Sequence, residues 1–156
     1  MNYKRKDIDL AYSNIRTIID KLMIRYQVNF KPSSNAPSTY KAMRSKRDEN
    51  GYFVVYNGGD HGLLGEDYNI KFRALHDFMH YKHNLSFKFE DERKLSDITM
   101  ITFSEMAWGE LNITAWQTHC IRQVIDREIR GQIDYFETRG HYVPNQSVFI
   151  LDHFNL

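Results

Sequence analysis

Cysteine is nearly absent from this sequence, with Cys120 the only one among 156 residues. A single thiol excludes an internal disulfide framework, which fits a reducing compartment. Proline is scarce too, at three, and two of these fall within residues 31–39. No run of apolar residues approaches the roughly 20 needed to span a membrane, and the first ten residues, MNYKRKDIDL, lack an apolar core of signal-peptide length. The reading is a soluble protein of the cytoplasm with no membrane partner. Net charge is almost nil at +1. It is nonetheless uneven: residues 1–50 hold eleven Lys and Arg against five acids, and residues 51–156 hold ten against fifteen.

Aromatic residues are plentiful, with ten Tyr and ten Phe, so a ring-rich core is expected. The length suits one domain spanning residues 1–156. Ile8, Ala11, Tyr12, Ile15, Ile18, Ile19, Leu22 and Tyr26 recur at three- and four-residue spacing and predict a long helix over 7–26. A short strand is expected at 27–30 and a loop at 31–39. Ser38 or Thr39 would then cap a helical turn reaching Met43, and Asn50-Gly51 marks a turn. Tyr52 to Tyr56, YFVVY, is the clearest strand. A glycine-rich loop follows it and leads to a helix over 69–83, capped by Asp67 or Asn69. From Leu95 onward the pattern is helical, with a break near Gly109 and a stop at Gly140; Ile101, Trp116 and their apolar neighbours are expected inside. An extended tail is expected from Pro144. The fold class is α+β and predominantly helical: a long N-terminal helix, a small β-sheet, a His-bearing central helix and a C-terminal helical group.

The stretch NIKFRALHDFMHYKH, residues 69–83, gathers three of the seven histidines. As a helix it sets Arg73, His76, His80 and His83 on one narrow stripe, flanked by Phe72, Leu75 and Met79. His76 and His80, one turn apart, have metal-ligand spacing. Asp77 sits a quarter turn away, where it can meet a metal-bound water. H-D-x-x-H is similar to the zincin helix motif H-E-x-x-H with Asp for Glu. Two imidazoles need a further ligand, and the later helices offer His119, alone or with Glu105, by seven-residue periodicity. Two histidines and a carboxylate also describe the facial triad of non-haem iron. The expected cofactor is a divalent metal, zinc before iron.

FRALHDFMH (72–80), GELNITAWQTH (109–119) and EIRGQ (128–132) occur in an order that resembles a domain of bacteriophage proteins, also found within large polyvalent phage polypeptides. The resemblance covers about residues 72–132. It implies Arg73, His76, Asp77, His80, Glu110, His119, Glu128, Arg130 and Gln132 as site positions, although the spacing differs after His76 and around Glu110. Arg130 and Gln132 would bind a carboxylate or phosphate, or lock Glu128 or Asp77 in place.

These readings converge on a small metal-dependent enzyme, most simply a hydrolase. His76, His80 and His119 would hold the metal. Asp77, Glu110, Glu128 and Arg130 would be catalytic, and Arg73 and Gln132 would bind a cofactor or anion. An iron-dependent oxidative enzyme is the alternative on the same residues. A different class is a phage accessory protein binding nucleic acid or a host factor, with Lys31, Lys41, Arg44, Lys46 and Arg47 as the basic contact segment.

Overall fold

The computed structural model describes residues 1–156. Helix α1 spans Arg5–Arg25 and buries Ile8, Ala11, Tyr12, Ile15, Ile18, Ile19 and Leu22 along one face. It starts two residues earlier than expected, because the Asp7 carboxylate accepts from the Lys4 N–H at 2.9 Å and completes the first turn.

Strand β1, Phe30–Ser33, and strand β2, Phe53–Tyr56, pair in parallel from Phe30 opposite Phe53 to Ser33 opposite Tyr56. β1 therefore runs into the segment expected to be loop. Pro32 is tolerated there because the ladder uses the carbonyls of Asn29 and Ser33, so the position of Pro32 faces away from β2. A parallel pair needs a crossover, and helix α2, Tyr40–Asn50, supplies it. Thr39 caps α2, with its Oγ1 3.2 Å from Ala42 N, and Gly51 closes it in the left-handed region at φ 78°. The expected single turn is thus a full helix. Its periodicity is hidden because Met43 is its only buried residue.

Helix α3, Glu66–His83, carries the histidines. Neither Asp67 nor Asn69 caps it: Gly65 precedes it without a side-chain bond, and Glu66 and Asp67 favour the positive end of its dipole. Phe72 and Leu75 pack into the main core with α1, while Ile70 and Ala74 pack with Met43, Phe53 and Val55 under the small sheet. Helix α3 is therefore gripped from two sides. Asn84, at φ 53°, ends it as expected.

Helix α4, Phe89–Glu105, begins six residues before the expected start at Leu95. Asp91 fixes its entry, accepting from Ser86 N at 2.9 Å and Ser86 Oγ at 2.6 Å. Its buried stripe is Glu92, Leu95, Ser96, Thr99 and Phe103. Ile101, by contrast, is more than half exposed, and Trp116 is also partly open to solvent. A π-helical turn at Met106–Glu110 makes the break near Gly109; helix α5, Ala115–Asp126, follows and is capped by Thr114. A second π turn, Arg127–Gly131, leads into helix α6, Gln132–Arg139, which Gly140 ends at φ 74°. The expected extended tail is instead helix α7, Gln146–His153, capped by Asn145 through Val148 N at 3.0 Å. Pro144 only precedes that cap; Ile150 and Phe154 are buried in the core, whereas Val148 is half exposed.

Phe103 is 1 % exposed and meets Phe72 edge-on, joining α4 to α3. Phe103→Ala is expected to lower unfolding free energy by about 3–5 kcal/mol, measured by urea denaturation. A loss below about 1 kcal/mol, the scale of surface changes, would show that this contact does not hold the two helices together.

Candidate metal centre

His76 and His80 lie one turn apart on α3, and Glu92 reaches them from the first turns of α4. His76 Nε2 is 2.8 Å from Glu92 Oε2, His80 Nε2 is 3.0 Å from Glu92 Oε1, and the two Nε2 atoms are 3.1 Å apart. The rings stand nearly perpendicular at 4.6 Å between centroids. These are the side chains whose ligand atoms converge closely enough to hold one metal ion.

The turn after α3 sets the chemistry of His80. Asn84 adopts its left-handed conformation, the chain reverses, and the Leu85 carbonyl comes within 2.8 Å of His80 Nδ1. A carbonyl can only accept, so Nδ1 carries the proton and donates. In the neutral imidazole Nε2 then presents its lone pair toward His76 and Glu92. Backbone fixing of one imidazole nitrogen is how metal-binding histidines are commonly oriented. Phe87 packs edge-on against the same ring at 4.8 Å.

His80 is fully buried, Glu92 nearly so, and His76 retains 21 % of its side-chain exposure, so the cluster opens on the His76 side. His76 Nδ1 is buried with no hydrogen-bond partner. It lies beside a narrow apolar crevice that includes Leu22, Phe72, Met79 and Phe103 and has no room for a water molecule. Burial pushes the Glu92 carboxyl up, but positive charge and hydrogen-bond donation from His76 and His80, the effect a cation between them would also have, outweigh it and hold it at about 2. Burial also raises Asp77, to about 7, with His80 opposing and Glu92 adding to the rise.

The remaining sequence candidates are dispersed. His119 does not join the ligand cluster; it shares a 2.9 Å hydrogen bond with the Tyr3 hydroxyl and stacks with Tyr3 and Trp116. Helix α5 turns that face toward the N-terminal segment. Glu110 forms a two-oxygen ion pair with Arg25 Nη2, at 2.6 and 2.8 Å. Glu105 is exposed, and so is His83, which stands beyond the cluster on the last turn of α3. Arg73 donates to the carbonyls of Tyr56 at 2.7 Å and Gly58 at 2.8 Å, holding the loop after β2. Arg130 binds Asp97 at 2.5 Å and Asp126 at 3.0 Å, tying α4 to the end of α5. Gln132 donates to Glu128 at 3.1 Å, and the Tyr12 hydroxyl donates to the same carboxyl at 2.6 Å. Gln132 thus takes the locking role. In the basic segment, Arg44 and Arg47 stack on Tyr81, and Lys31 covers Tyr52.

Glu92 was missed because it reads as part of a charged run, Glu90-Asp91-Glu92. The signal was present: the stripe through Leu95, Thr99 and Phe103, continued back by one turn, lands on Glu92. Compared with protein-family models, curated proteins and solved structures, the chain matches none.

Glu128 makes a test away from the ligands. Burial lifts its carboxyl from 4.5 to about 7, with Tyr12 and Gln132 opposing. Between those values the folded chain keeps a proton that the unfolded chain has released, so this group's contribution to stability is present below 4.5 and lost as pH rises to 7. Glu128→Gln should therefore gain on the wild type from pH 4 to pH 8 by on the order of 3 kcal/mol in urea unfolding. Parallel stability curves would show that Glu128 titrates as it does in the unfolded chain.

Proposed function

We propose that this protein is a small metal-dependent enzyme, most simply a hydrolase, with a divalent ion held by His76, His80 and Glu92. One observation carries the reading: with Nδ1 of His80 committed to the Leu85 carbonyl, its Nε2 lone pair faces a second imidazole nitrogen and a carboxylate. His80 Nε2 and Glu92 Oε1, two acceptors 3.0 Å apart with His76 Nε2 beside them, call for a cation between them, either a proton or a metal. Two histidines and a glutamate are a donor set of catalytic zinc, and they leave a position open for a further ligand. Iron accepts the same set, which keeps the oxidative alternative on these residues.

Bound there, a divalent ion would supply Lewis acidity, lowering the pKa of a water molecule or polarising a substrate oxygen. The protein's own parts follow from their positions. His80 and Glu92, buried and fixed by Leu85 and by each other, set the orientation. His76, on the open side, borders the approach of substrate. Asp77 follows His76 on α3, feels both His80 and Glu92, and is the group we assign to accept a proton during hydrolysis. The likeness to a bacteriophage domain belongs to this reading and would place the protein's action in a host cell.

The reading is tested by elemental analysis and zinc titration of protein purified without a metal-affinity tag. About one zinc or iron per chain is expected. Glu92→Ala should weaken zinc binding by more than the roughly 10- to 100-fold typical of losing an outer hydrogen-bond partner of a ligand, whereas His119→Ala should bind like the wild type. Equal binding by wild type and Glu92→Ala would remove the metal site. The loaded protein should hydrolyse casein or p-nitrophenyl esters and phosphates, with turnover lost in Asp77→Asn at unchanged metal content. A loaded protein inert on this panel would leave a metal site without the hydrolase.

A further inference from the structure

Arginines in this fold are mostly paired. Arg5, Arg25, Arg93 and Arg130 meet carboxylates, and Arg16 and Arg73 meet backbone carbonyls. Arg127, like Arg47, Arg122 and Arg139, makes no hydrogen bond or ion pair, but it is the arginine whose Nε is buried without an acceptor. Its guanidinium lies 3.7 Å above the Phe149 ring on α7. A buried donor left unpaired costs roughly 1–3 kcal/mol, so a side chain held this way needs an explanation.

Two features hold it there. Residue 131 is glycine, and a Cβ at that position would come within 2.6 Å of Arg127 Cδ and 3.2 Å of Nε. The arginine therefore lies across Gly131 with its flat face on Phe149. In addition, the carboxylates whose charge reaches it, Asp126 and Asp134, are engaged elsewhere. Asp126 binds Arg130 at 3.0 Å, and Asp134 binds Arg93 at 2.9 Å. His153, exposed and one turn beyond Phe149 on α7, is near enough for the Arg127 charge to act on it. Burial and the adjacent Arg127 hold its imidazole below the usual range. A cation whose neighbouring carboxylates are bonded to other arginines thus lies near a histidine whose imidazole is held below the usual range.

We propose that Arg127, floored by Phe149 and flanked by His153, is a binding site for a small oxyanion, a phosphate or a carboxylate group. The guanidinium fork matches either one in two-point contact, and an anion would stabilise a proton on His153 as a further donor. The site contains none of the His76, His80 and Glu92 ligands and does not depend on a metal being bound there.

The test is an NMR titration of the full chain in low-salt, phosphate-free buffer near pH 6.5, with inorganic phosphate and acetate added separately. Saturable shifts of the Arg127 Nε–Hε signal and of the His153 ring, with chloride giving none, are expected for at least one of the two, and the one that binds identifies the source. Arg127→Gln should abolish the response. Gly131→Ala, which displaces the arginine, should weaken it about tenfold, the scale of one charge-assisted hydrogen bond. Folding of the variants is checked by circular dichroism, and the wild-type Nε–Hε signal decides the question even where a variant fails to fold. Shifts that never saturate, or that chloride reproduces, would overturn the proposal.

Discussion

Glu92 is a carboxylate placed almost wholly out of water, at 8 % exposure. Such a group is tolerated only with charged or hydrogen-bonding partners, because desolvation alone costs several kcal/mol. Its partners are two imidazoles one turn apart, and a net-balanced cluster requires a cation among them. That requirement shapes the segment between the helices. Asn84 must reverse the chain, Leu85 must return its carbonyl to His80, and Ser86 must receive Asp91 so that α4 starts early enough to put Glu92 within reach. Removing the carboxylate would leave the fully buried His80 with its Nε2 facing a gap and only His76 for company.

A ligand set is useful only as far as its scaffold is stiff. Helix α3 is packed on α1 by Phe72 and Leu75 and on the sheet by Ile70 and Ala74, so the two histidines ride on an element clamped on opposite faces. Phe103 then joins α4 to the same core. The geometry of the His76, His80 and Glu92 cluster and the apolar core are in this sense one structure. The crevice beside His76 shows its cost: the packing is close enough to exclude water, and His76 Nδ1 goes without a partner.

How much of this was legible follows from where the information sits. The α1 face, the YFVVY strand, the two histidines and the stops at Asn84 and Gly140 are local patterns in strong residues, and they could be read directly. Helix α2 was underestimated because its surroundings are mostly polar and its stability comes from Thr39, Gly51 and stacking on Tyr81. Helix α7 was hidden by Pro144, whose extended bias ends just before the Asn145 cap. Glu92, the third member of the cluster, was hidden for a related reason: the buried stripe of α4 is written in Glu, Ser and Thr as much as in Leu and Phe, and a search for apolar periodicity starts at Leu95 and passes over it. His119 had the right chemistry and the wrong neighbourhood. Nothing local reveals that α5 presents it to Tyr3.

The placement of the other polar blocks divides the chain by task. His76 and Glu92 are 16 residues apart, so the candidate metal centre belongs to a single helical hairpin and could form without long-range closure. The segments around 109–119 and 128–132 do something else. Glu110 reaches Arg25, His119 reaches Tyr3, and Glu128 reaches Tyr12, so all three fasten the later helices to α1 or to the residues just before it. Their polar groups are spent on directional bonds across the core's margin, where apolar packing alone would leave the rotation of α5 and the π turns loosely defined. Arg127 in that region is held in place yet its Nε is left without an acceptor. The same ion pairs that secure α4 to α5 and α6 take up the carboxylates that would otherwise neutralise it, and the free valence at Arg127 is thus a consequence of how the frame around the hairpin is tied.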